Sequence, residues 1–293
     1  MKVFKSTKAQ KNVLDTYDKL LKMWNVNFEE TDIPTTYGAT HVITCGDKNS
    51  PPLILFHGVG DNSALMWVYN ARELAKHFWV MAIDTIGGPG KSQPNNNYNK
   101  EFDDIRWIDE VLAGLVQDKV FIAGVSNGAY LAQLYGIHRP ERVLKLICLA
   151  GTVPIGGGSP IKTMMKIFLP EALFPTKKNT EKLLKKLSGK NSGVLTGNPI
   201  IMEHYRWLLK GFNNMAMRFH QITSFDDRQV NTIREKTLYL AGDDDPFMLL
   251  GGKELLLRYK MNAKFFPAAG HGINHEISDI INQQMVEYLN AKS

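Results

Sequence analysis

Cysteine is scarce in this chain of 293 residues, which has only Cys45 and Cys148. The two lie far apart, each in a segment predicted to be a strand, so we expect buried free thiols. A disulfide between them is the alternative. Free thiols are typical of a reducing compartment, and they predict a cytoplasmic protein.

Long hydrophobic runs are also missing. No apolar run approaches the ~20 residues of a membrane-spanning helix, so no integral membrane segment is expected. Residues Met1–Gln10 are polar and basic and lack the apolar core of a secretory signal. A content of 44% hydrophobic and 22% charged residues is typical of a folded protein with one large α/β domain or two.

Arginine is absent from the most basic segment, residues 160–190. That segment has eight lysines against Glu171 and Glu181, a net charge of +6 that equals the excess of the whole chain. The lysines are at positions 162, 166, 177, 178, 182, 185, 186 and 190. A nucleic-acid surface would more often combine arginine with aromatic residues, so no nucleic-acid partner is predicted. We expect a solvated helix face, with weak attraction to anionic substrates or lipid head groups as the alternative.

Short apolar runs bounded by turn residues predict a sheet that is covered on both faces. The runs are Leu53–Phe56, Trp79–Ile83, Val120–Ala123, Leu144–Leu149, Thr237–Ala241 and Ala263–Phe266. A predicted hairpin with Gly38 at its turn precedes them, and helical patterns separate most of them. The helical patterns are Ala64–His77, Asp103–Leu115, Ala129–His138, Lys253–Tyr259 and Ile277–Leu289. This alternation predicts an α/β fold with a doubly wound, mostly parallel sheet.

The chain is predicted to have three parts. Residues 1–28 contain an amphipathic helix from Ser6 to Trp24, which we expect to pack on the core. Residues 29–151 and 236–293 form the predicted α/β core. Residues 152–235 have only helical pieces separated by proline and glycine, and they predict a helical cap inserted late in the sheet.

The most informative motif is Gly124-Val125-Ser126-Asn127-Gly128, which reads G-x-S-x-G. An apolar strand-like run precedes it and a helical pattern follows it, which is the context that exposes a nucleophilic serine at a sharp turn. The glycines leave room for that turn, and the helix N-terminus favours negative charge beside Ser126. A surface serine in a glycine-rich turn is the alternative if no partners for Ser126 exist elsewhere.

Candidate partners for Ser126 follow other predicted strands. His57-Gly58 follows the first apolar run and Asp84 follows the second. Asp243-Asp244-Asp245 follows the fifth run, and His271 follows the sixth. Ligands of such sheets bind outside the carboxyl ends of the strands. The chain order Ser, Asp, His is that of the α/β-hydrolase triad.

On these residues the chain resembles cap-bearing α/β-hydrolases of the esterase type, and in particular bacterial carboxylesterases. Pro140-Glu141-Arg142-Val143 and Gly270-His271 also match, and the resemblance is weakest in the cap. It implies an oxyanion hole formed by the backbone N–H groups of Val59 and Asn127. The family pattern places the acid three residues after the glycine, which selects Asp245, with Asp243 as the alternative.

Three other signals are given less weight. The segment Ile83–Ser92 looks like a phosphate loop, but Thr85 stands where a glycine is needed and Pro89 removes an amide donor. His271 and His275 have a metal-like spacing without a third ligand, so no metal and no cofactor are predicted. His204 and His220, in the predicted cap, are expected to have surface or packing roles.

The sequence therefore predicts a serine hydrolase that cleaves a carboxylic ester of moderate size through an acyl-enzyme. The triad is Ser126, His271 and Asp245, with His57, Gly58, Gly124 and Gly128 as supporting motif residues. C–C, thioester or amide hydrolysis, perhydrolysis, and a non-catalytic ligand sensor are the alternatives. Dehalogenase and epoxide-hydrolase chemistry is disfavoured because those relatives carry aspartate in place of Ser126. The oligomeric state is not predicted.

Overall fold

The computed structural model describes residues 2–155, 171 and 173–291. Its strands are β1 Phe28–Thr35, β2 Gly38–Cys45, β3 Pro52–Phe56, β4 Trp79–Ile83, β5 Gln93–Pro94, β6 Val120–Val125, β7 Val143–Leu149, β8 Thr237–Gly242 and β9 Asn262–Phe266. Within the described residues they form a nine-stranded sheet in the order β1-β2-β4-β3-β6-β7-β8-β9, with β5 paired to β2. Strand β2 is antiparallel to β1, β4 and β5, and the other pairs are parallel. The predicted doubly wound, mostly parallel sheet is confirmed.

Helices pack on both faces of this sheet. Those of the first half are α1 Thr7–Met23, α2 Ser63–Met66, α3 Ala71–Leu74, α4 Asp104–Gly114 and α5 Asn127–His138. Those of the second half are α6 Lys177–Leu187, α7 Gly193–Thr196, α8 Pro199–Gly211, α9 Asp227–Arg234, α10 Lys253–Arg258, α11 Ile273–Glu276 and α12 Ser278–Asn290. A 3₁₀ turn at Asn214–Met217 and a π-type turn at Met248–Gly252 complete the helical elements of the described chain.

Alternate side chains of β3 face two different hydrophobic cores. Leu53 and Leu55 face the core that includes residues of α1 and α12, whereas Ile54 and Phe56 face the core that includes residues of α4 and α5. All four side chains are fully buried. Strand β3 is therefore apolar on both faces because both faces are covered, as the continuous apolar run predicts.

The predicted helix Ala64–His77 is wrong as a single element, because it is split into α2 and α3. An uninterrupted helix would bond the carbonyl of Met66 to the amide of Asn70. Instead the Met66 carbonyl accepts from Nδ2 of Asn274 at 2.6 Å, and the Asn70 amide donates to Trp67 at 2.9 Å. The Met66 carbonyl is bonded by a side chain that lies 208 residues away in the sequence. No local sequence pattern could therefore predict this break in the helix.

Helix α1 begins after Ser6, whose side chain accepts from the amide of Ala9 at 3.1 Å. It packs against α2 and α8. Its Tyr17 hydroxyl donates to Asp84 at 2.9 Å, and its Thr16 hydroxyl lies 2.7 Å from Nδ1 of His204. The N-terminal helix thus contacts both the core and the segment predicted as the cap.

The lysine-rich segment is solvated where it is described. The side chains of Lys177, Lys178, Lys182, Lys185 and Lys186 are exposed on α6, which confirms the predicted helix face for these five. Lys190 is exposed in the loop that follows α6. Glu171 pairs with Lys182 at 2.9 Å and with Lys186 at 3.5 Å. Lys162 and Lys166 lie outside the described residues.

Cys45 and Cys148 are both buried and free, as expected. Among the described residues, no helix is long and apolar enough to cross a membrane.

Candidate active site

Ser126 lies at the corner between β6 and α5. Its backbone adopts φ 55° and ψ −111°, an uncommon conformation for a residue with a side chain. Strain of this kind costs about 1–3 kcal/mol and persists only where the surroundings impose it. The Ser126 amide donates to the carbonyl of Leu149 at 2.9 Å, which ties the corner to the end of β7.

The two glycines of the motif are required by close backbone packing. A Cβ on Gly124 would lie 2.1 Å from the carbonyl oxygen of Gly128. A Cβ on Gly128 would lie 2.3 Å from the carbonyl oxygen of Phe56, at the end of β3. Real Cβ atoms essentially never come this close to another atom, so the corner can form only with glycine at both positions.

Two backbone N–H groups adjoin the serine. Gly58 follows β3, and a Cβ on it would lie 3.6 Å from Cβ of Ser126. The next amide, that of Val59, and the amide of Asn127 donate to no acceptor in the described part of the chain. Asn127 also begins α5, where unpaired helical amides favour negative charge. The geometry leaves two donors free beside the Ser126 corner.

The three consecutive aspartates have different environments. Asp243 forms an ion pair with Nζ of Lys253 at 2.6 Å, and Asp244 is exposed. Asp245 is fully buried, and its Oδ2 lies 2.9 Å from Nδ1 of His271. The structure therefore brings Asp245, and neither of the others, into contact with the histidine.

Two opposing effects act on the pKa of the His271 imidazole. Burial lowers the pKa of His271, but the Asp245 carboxylate beside it more than offsets this effect, so the pKa is raised above its usual value. Its Nδ1 is occupied by Asp245, which leaves Nε2 for another partner. No hydrogen bond in the described residues joins His271 to the Ser126 hydroxyl. In ligand-free sites such bonds are often long or poorly aligned.

A family model described as alpha/beta hydrolase fold matches residues 51–190. The chain has the α/β-hydrolase fold. It is 26% identical over 291 residues to a carboxylesterase called nap from Bacillus subtilis, covering 95% of this chain and 92% of the relative. It is 24% identical to the carboxylesterase YbfK of the same organism, covering 93% of this chain and 92% of the relative. A crystal structure of naproxen esterase from B. subtilis superimposes with a TM-score of 0.82 at 23% identity, over 98% of this chain and all of the other. The predicted resemblance to bacterial carboxylesterases is confirmed.

His57 lies beneath the loop that carries Val59. Its Nδ1 donates to the carbonyl of Gly58 at 2.8 Å, and its Nε2 accepts from the amide of Thr85 at 2.9 Å. Burial lowers the pKa of His57, so the ring stays neutral with its proton on Nδ1. The histidine thus joins the loop after β3 to the loop after β4.

Asp84 organises the second of these loops in the hydrolase. Its buried carboxylate accepts from Tyr17 at 2.9 Å and from the amides of Ser63 and Lys91 at 2.9 and 2.8 Å. The Lys91 side chain turns away to Asp18 and Glu30, at 2.7 and 2.5 Å. Lys91 is the lysine of the segment that resembles a phosphate loop, and its side chain is therefore already paired with two carboxylates.

The histidines of the predicted cap have buried polar partners. His204 lies between Thr16 and Asn62, at 2.7 and 3.0 Å, and burial lowers its pKa to about 3. His220 lies 2.5 Å from Asp104 and 2.7 Å from the carbonyl of Ile86. The predicted packing role fits both residues, whereas a surface role is wrong because both side chains are buried.

His275, considered as a metal ligand with His271, instead points its Nε2 at the carbonyl of Leu65, 3.1 Å away. In the described chain no cluster of three or more His, Cys, Asp or Glu side chains could hold a metal ion.

Two buried acids near the candidate site were missed by the sequence reasoning. Asp61, in the loop after β3, accepts from the amide of Asn62 at 2.8 Å, and burial raises its pKa to about 7. Glu276, five residues after His271, bonds to two loop amides. Neither position has a local signal, because the burial of Asp61 and the contact of Glu276 with Gly189 arise only in the folded chain.

Proposed function

We propose that this α/β-hydrolase cleaves a small carboxylic ester through an acyl-enzyme, with Ser126 as nucleophile, His271 as general base and Asp245 as its orienting acid. The observation that carries the proposal is the 2.9 Å contact between the buried Asp245 carboxylate and Nδ1 of His271. The strained serine corner at the end of β6, on the same edge of the sheet, supplies the nucleophile. The carboxylesterases similar to this chain support ester hydrolysis as the reaction class.

In the first half of the reaction, Oγ of Ser126 attacks the ester carbonyl carbon while Nε2 of His271 takes its proton. The negative charge that forms on the carbonyl oxygen is met by the free N–H groups of Val59 and Asn127. Collapse of the tetrahedral intermediate breaks the bond to the alcohol oxygen, and His271 returns the proton to the leaving alcohol.

In the second half, His271 takes a proton from water, and the hydroxide attacks the acyl carbon. The same two amides receive the charge, the acid leaves, and Ser126 regains its proton from His271. Asp245 fixes the tautomer and stabilises the imidazolium in both halves. No step needs a cofactor.

We also propose that residues 152–235 act as a cap and select the acyl or alcohol group. Within the described part of that segment, Leu187 and Lys190 bond directly to the loop that carries His271. The free thiols of Cys45 and Cys148 fit the reducing cytoplasm, which we propose as the compartment.

The experiment that tests the function has two measurements. A fluorophosphonate should add one covalent label to the intact wild-type protein and none to Ser126→Ala. The same variant should lose hydrolysis of short-chain p-nitrophenyl esters. Labelling of Ser126→Ala, or wild-type protein inert toward a broad ester panel, would contradict the proposal. Comparison of kcat/KM for esters, thioesters, amides and a C–C substrate then separates ester hydrolysis from other uses of the same triad.

A further inference from the structure

Glu276 connects two loops that are far apart in the sequence. It is the last residue of α11, and its side chain is only 5% exposed. Oε1 accepts from the amide of Gly270 at 3.0 Å, and Oε2 accepts from the amide of Gly189 at 2.7 Å. Gly270 directly precedes His271, whereas Gly189 follows α6 in the segment proposed as the cap.

The two loops also bond to each other. The amide of His271 donates to the carbonyl of Leu187 at 2.7 Å, and the amide of Lys190 donates to the carbonyl of Ala268 at 3.0 Å. Residues 187–190 and 268–271 therefore run side by side. The backbone of His271 is held by Leu187 at its own amide and by Glu276 at the preceding one.

Both loops need glycine for this approach. A Cβ on Gly270 would lie 2.4 Å from the carbonyl oxygen of Leu187, and a Cβ on Gly189 would lie 2.3 Å from that of Ala268. The two backbones are thus too close for a side chain at either glycine, and hydrogen bonds join the two loops directly.

The Glu276 carboxylate also acts on the histidine electrostatically. Burial raises the pKa of Glu276, and the neighbouring Asp244 and Asp245 raise it further, against the effect of the two amides that it binds. The negative charge of Glu276 in turn adds to that of Asp245 in raising the pKa of His271.

We propose that Glu276 is a positioning residue that fixes the backbone of His271 and couples it to residues 187–190 of the cap. The assignment rests on the proposed function, since positioning matters only if His271 is the base. It implies that a movement of the cap at Gly189 changes the placement of the imidazole.

The variant Glu276→Gln tests this role with little change in volume. Glutamine keeps one acceptor oxygen, but it presents an NH₂ group to the second amide and removes the charge. We expect kcat/KM to fall about tenfold, which is the value of one lost charge-assisted hydrogen bond, with KM little changed. The acidic limb of the pH profile should move to lower pH, because His271 loses a neighbouring negative charge. Amide exchange in residues 187–190 and 268–271 should become faster.

The matched control is Glu287→Gln, the same change on an exposed position of α12. It should keep the wild-type rate, pH profile and exchange. A Glu276→Gln variant with the wild-type acidic limb and wild-type exchange would overturn the proposal. If that variant does not fold, exchange in the wild-type protein decides, because unprotected amides at Gly189 and Gly270 would refute the contact.

Fluorophosphonate labelling separates this proposal from the proposed function. Wild-type protein that is not labelled at Ser126 would show that the function is wrong. Labelled wild-type protein with an unshifted Glu276→Gln profile would show that the positioning role alone is wrong.

Discussion

The Nδ1–H group of His57 donates to the carbonyl of Gly58, 2.8 Å away, and so fixes the peptide whose amide belongs to Val59. In a trans peptide the C=O and N–H groups point in opposite directions. Holding the carbonyl beneath the loop therefore directs the Val59 N–H away from it. The second bond of the ring, from the amide of Thr85 to Nε2 at 2.9 Å, fixes the tautomer that this arrangement needs.

Replacement of His57 should therefore reduce transition-state stabilisation. In His57→Phe the Gly58 carbonyl and the Thr85 amide both lose their partner, while the buried volume stays filled. We expect kcat to fall about 10- to 100-fold, somewhat less than for an oxyanion donor that is removed outright, with KM within a factor of about three. Steady-state kinetics and the affinity for a trifluoromethyl ketone, which mimics the oxyanion, measure the effect.

Thr85→Val is the control for this prediction. It removes a buried hydroxyl that has no hydrogen-bond partner in the described chain and leaves the backbone amide in place. It should change kcat by less than about threefold. Wild-type kcat and ketone affinity in a folded His57→Phe protein would show that His57 does not orient the loop.

The three aspartates after β8 offer a matched pair of variants. Asp245→Asn replaces the acceptor that holds Nδ1 of His271, and it should lower kcat by about 10³–10⁴ because the wrong tautomer is favoured. Asp243→Asn breaks only the partly exposed ion pair with Lys253, which is worth at most about 1 kcal/mol, and it should keep nearly full activity. Ester hydrolysis by the two purified proteins decides, and the reverse order of activities would assign the acid to Asp243.

Much of the fold and of the candidate site could be predicted from local sequence. Buried parallel strands such as β3 and β6 are continuous apolar runs, and parallel strands end at one edge, so Ser126, Asp245 and His271 could be placed together. The split between α2 and α3 could not be predicted, because it depends on Asn274 from the other end of the chain. The same holds for two contacts between distant loops, that of Glu276 with Gly189 and that of His57 with Thr85.

The glycines of the serine corner lead to a prediction about folding. Gly124→Ala and Gly128→Ala each place a methyl group against a backbone carbonyl, at 2.1 and 2.3 Å, and β6, α5 or β3 must move. We expect a loss of several kcal/mol, as for other overpacked cores, and a loss of fluorophosphonate labelling. Thermal denaturation and labelling measure both effects.

Gly193→Ala is the contrasting change, because nothing lies within 4 Å of a Cβ at this first position of α7. Alanine there should keep or raise stability, by up to about 1 kcal/mol, since it restricts the unfolded chain. Equal behaviour of Gly193→Ala and Gly128→Ala would contradict the steric explanation.

The buried contact between His220 and Asp104 stabilises the folded protein more at low pH than at high pH. Burial lowers the pKa of His220, but Asp104 at 2.5 Å outweighs it and raises the pKa above the usual value. Both ring nitrogens face oxygen atoms, Nε2 being 2.7 Å from the carbonyl of Ile86, so the charged ring is the form that satisfies the site. The stabilisation is fully present below the unfolded-state pKa of about 6.5 and is lost as pH rises through the folded-state value.

Asp104→Asn should therefore cost more at pH 6 than at pH 9. At pH 6 the variant buries a histidine without its counter-ion, and the free energy of unfolding should fall by about 3–5 kcal/mol. At pH 9 the wild-type pair has itself lost stabilisation, so the difference between the two proteins should shrink.

Asp103→Asn is the control, because Asp103 caps α4 by accepting from the amides of Ile105 and Arg106, a role that asparagine fills as well. Urea denaturation of the three proteins at both pH values measures the effect. A cost of Asp104→Asn that is the same at pH 6 and pH 9 would show that His220 is neutral in the folded protein and that the contact is an ordinary hydrogen bond.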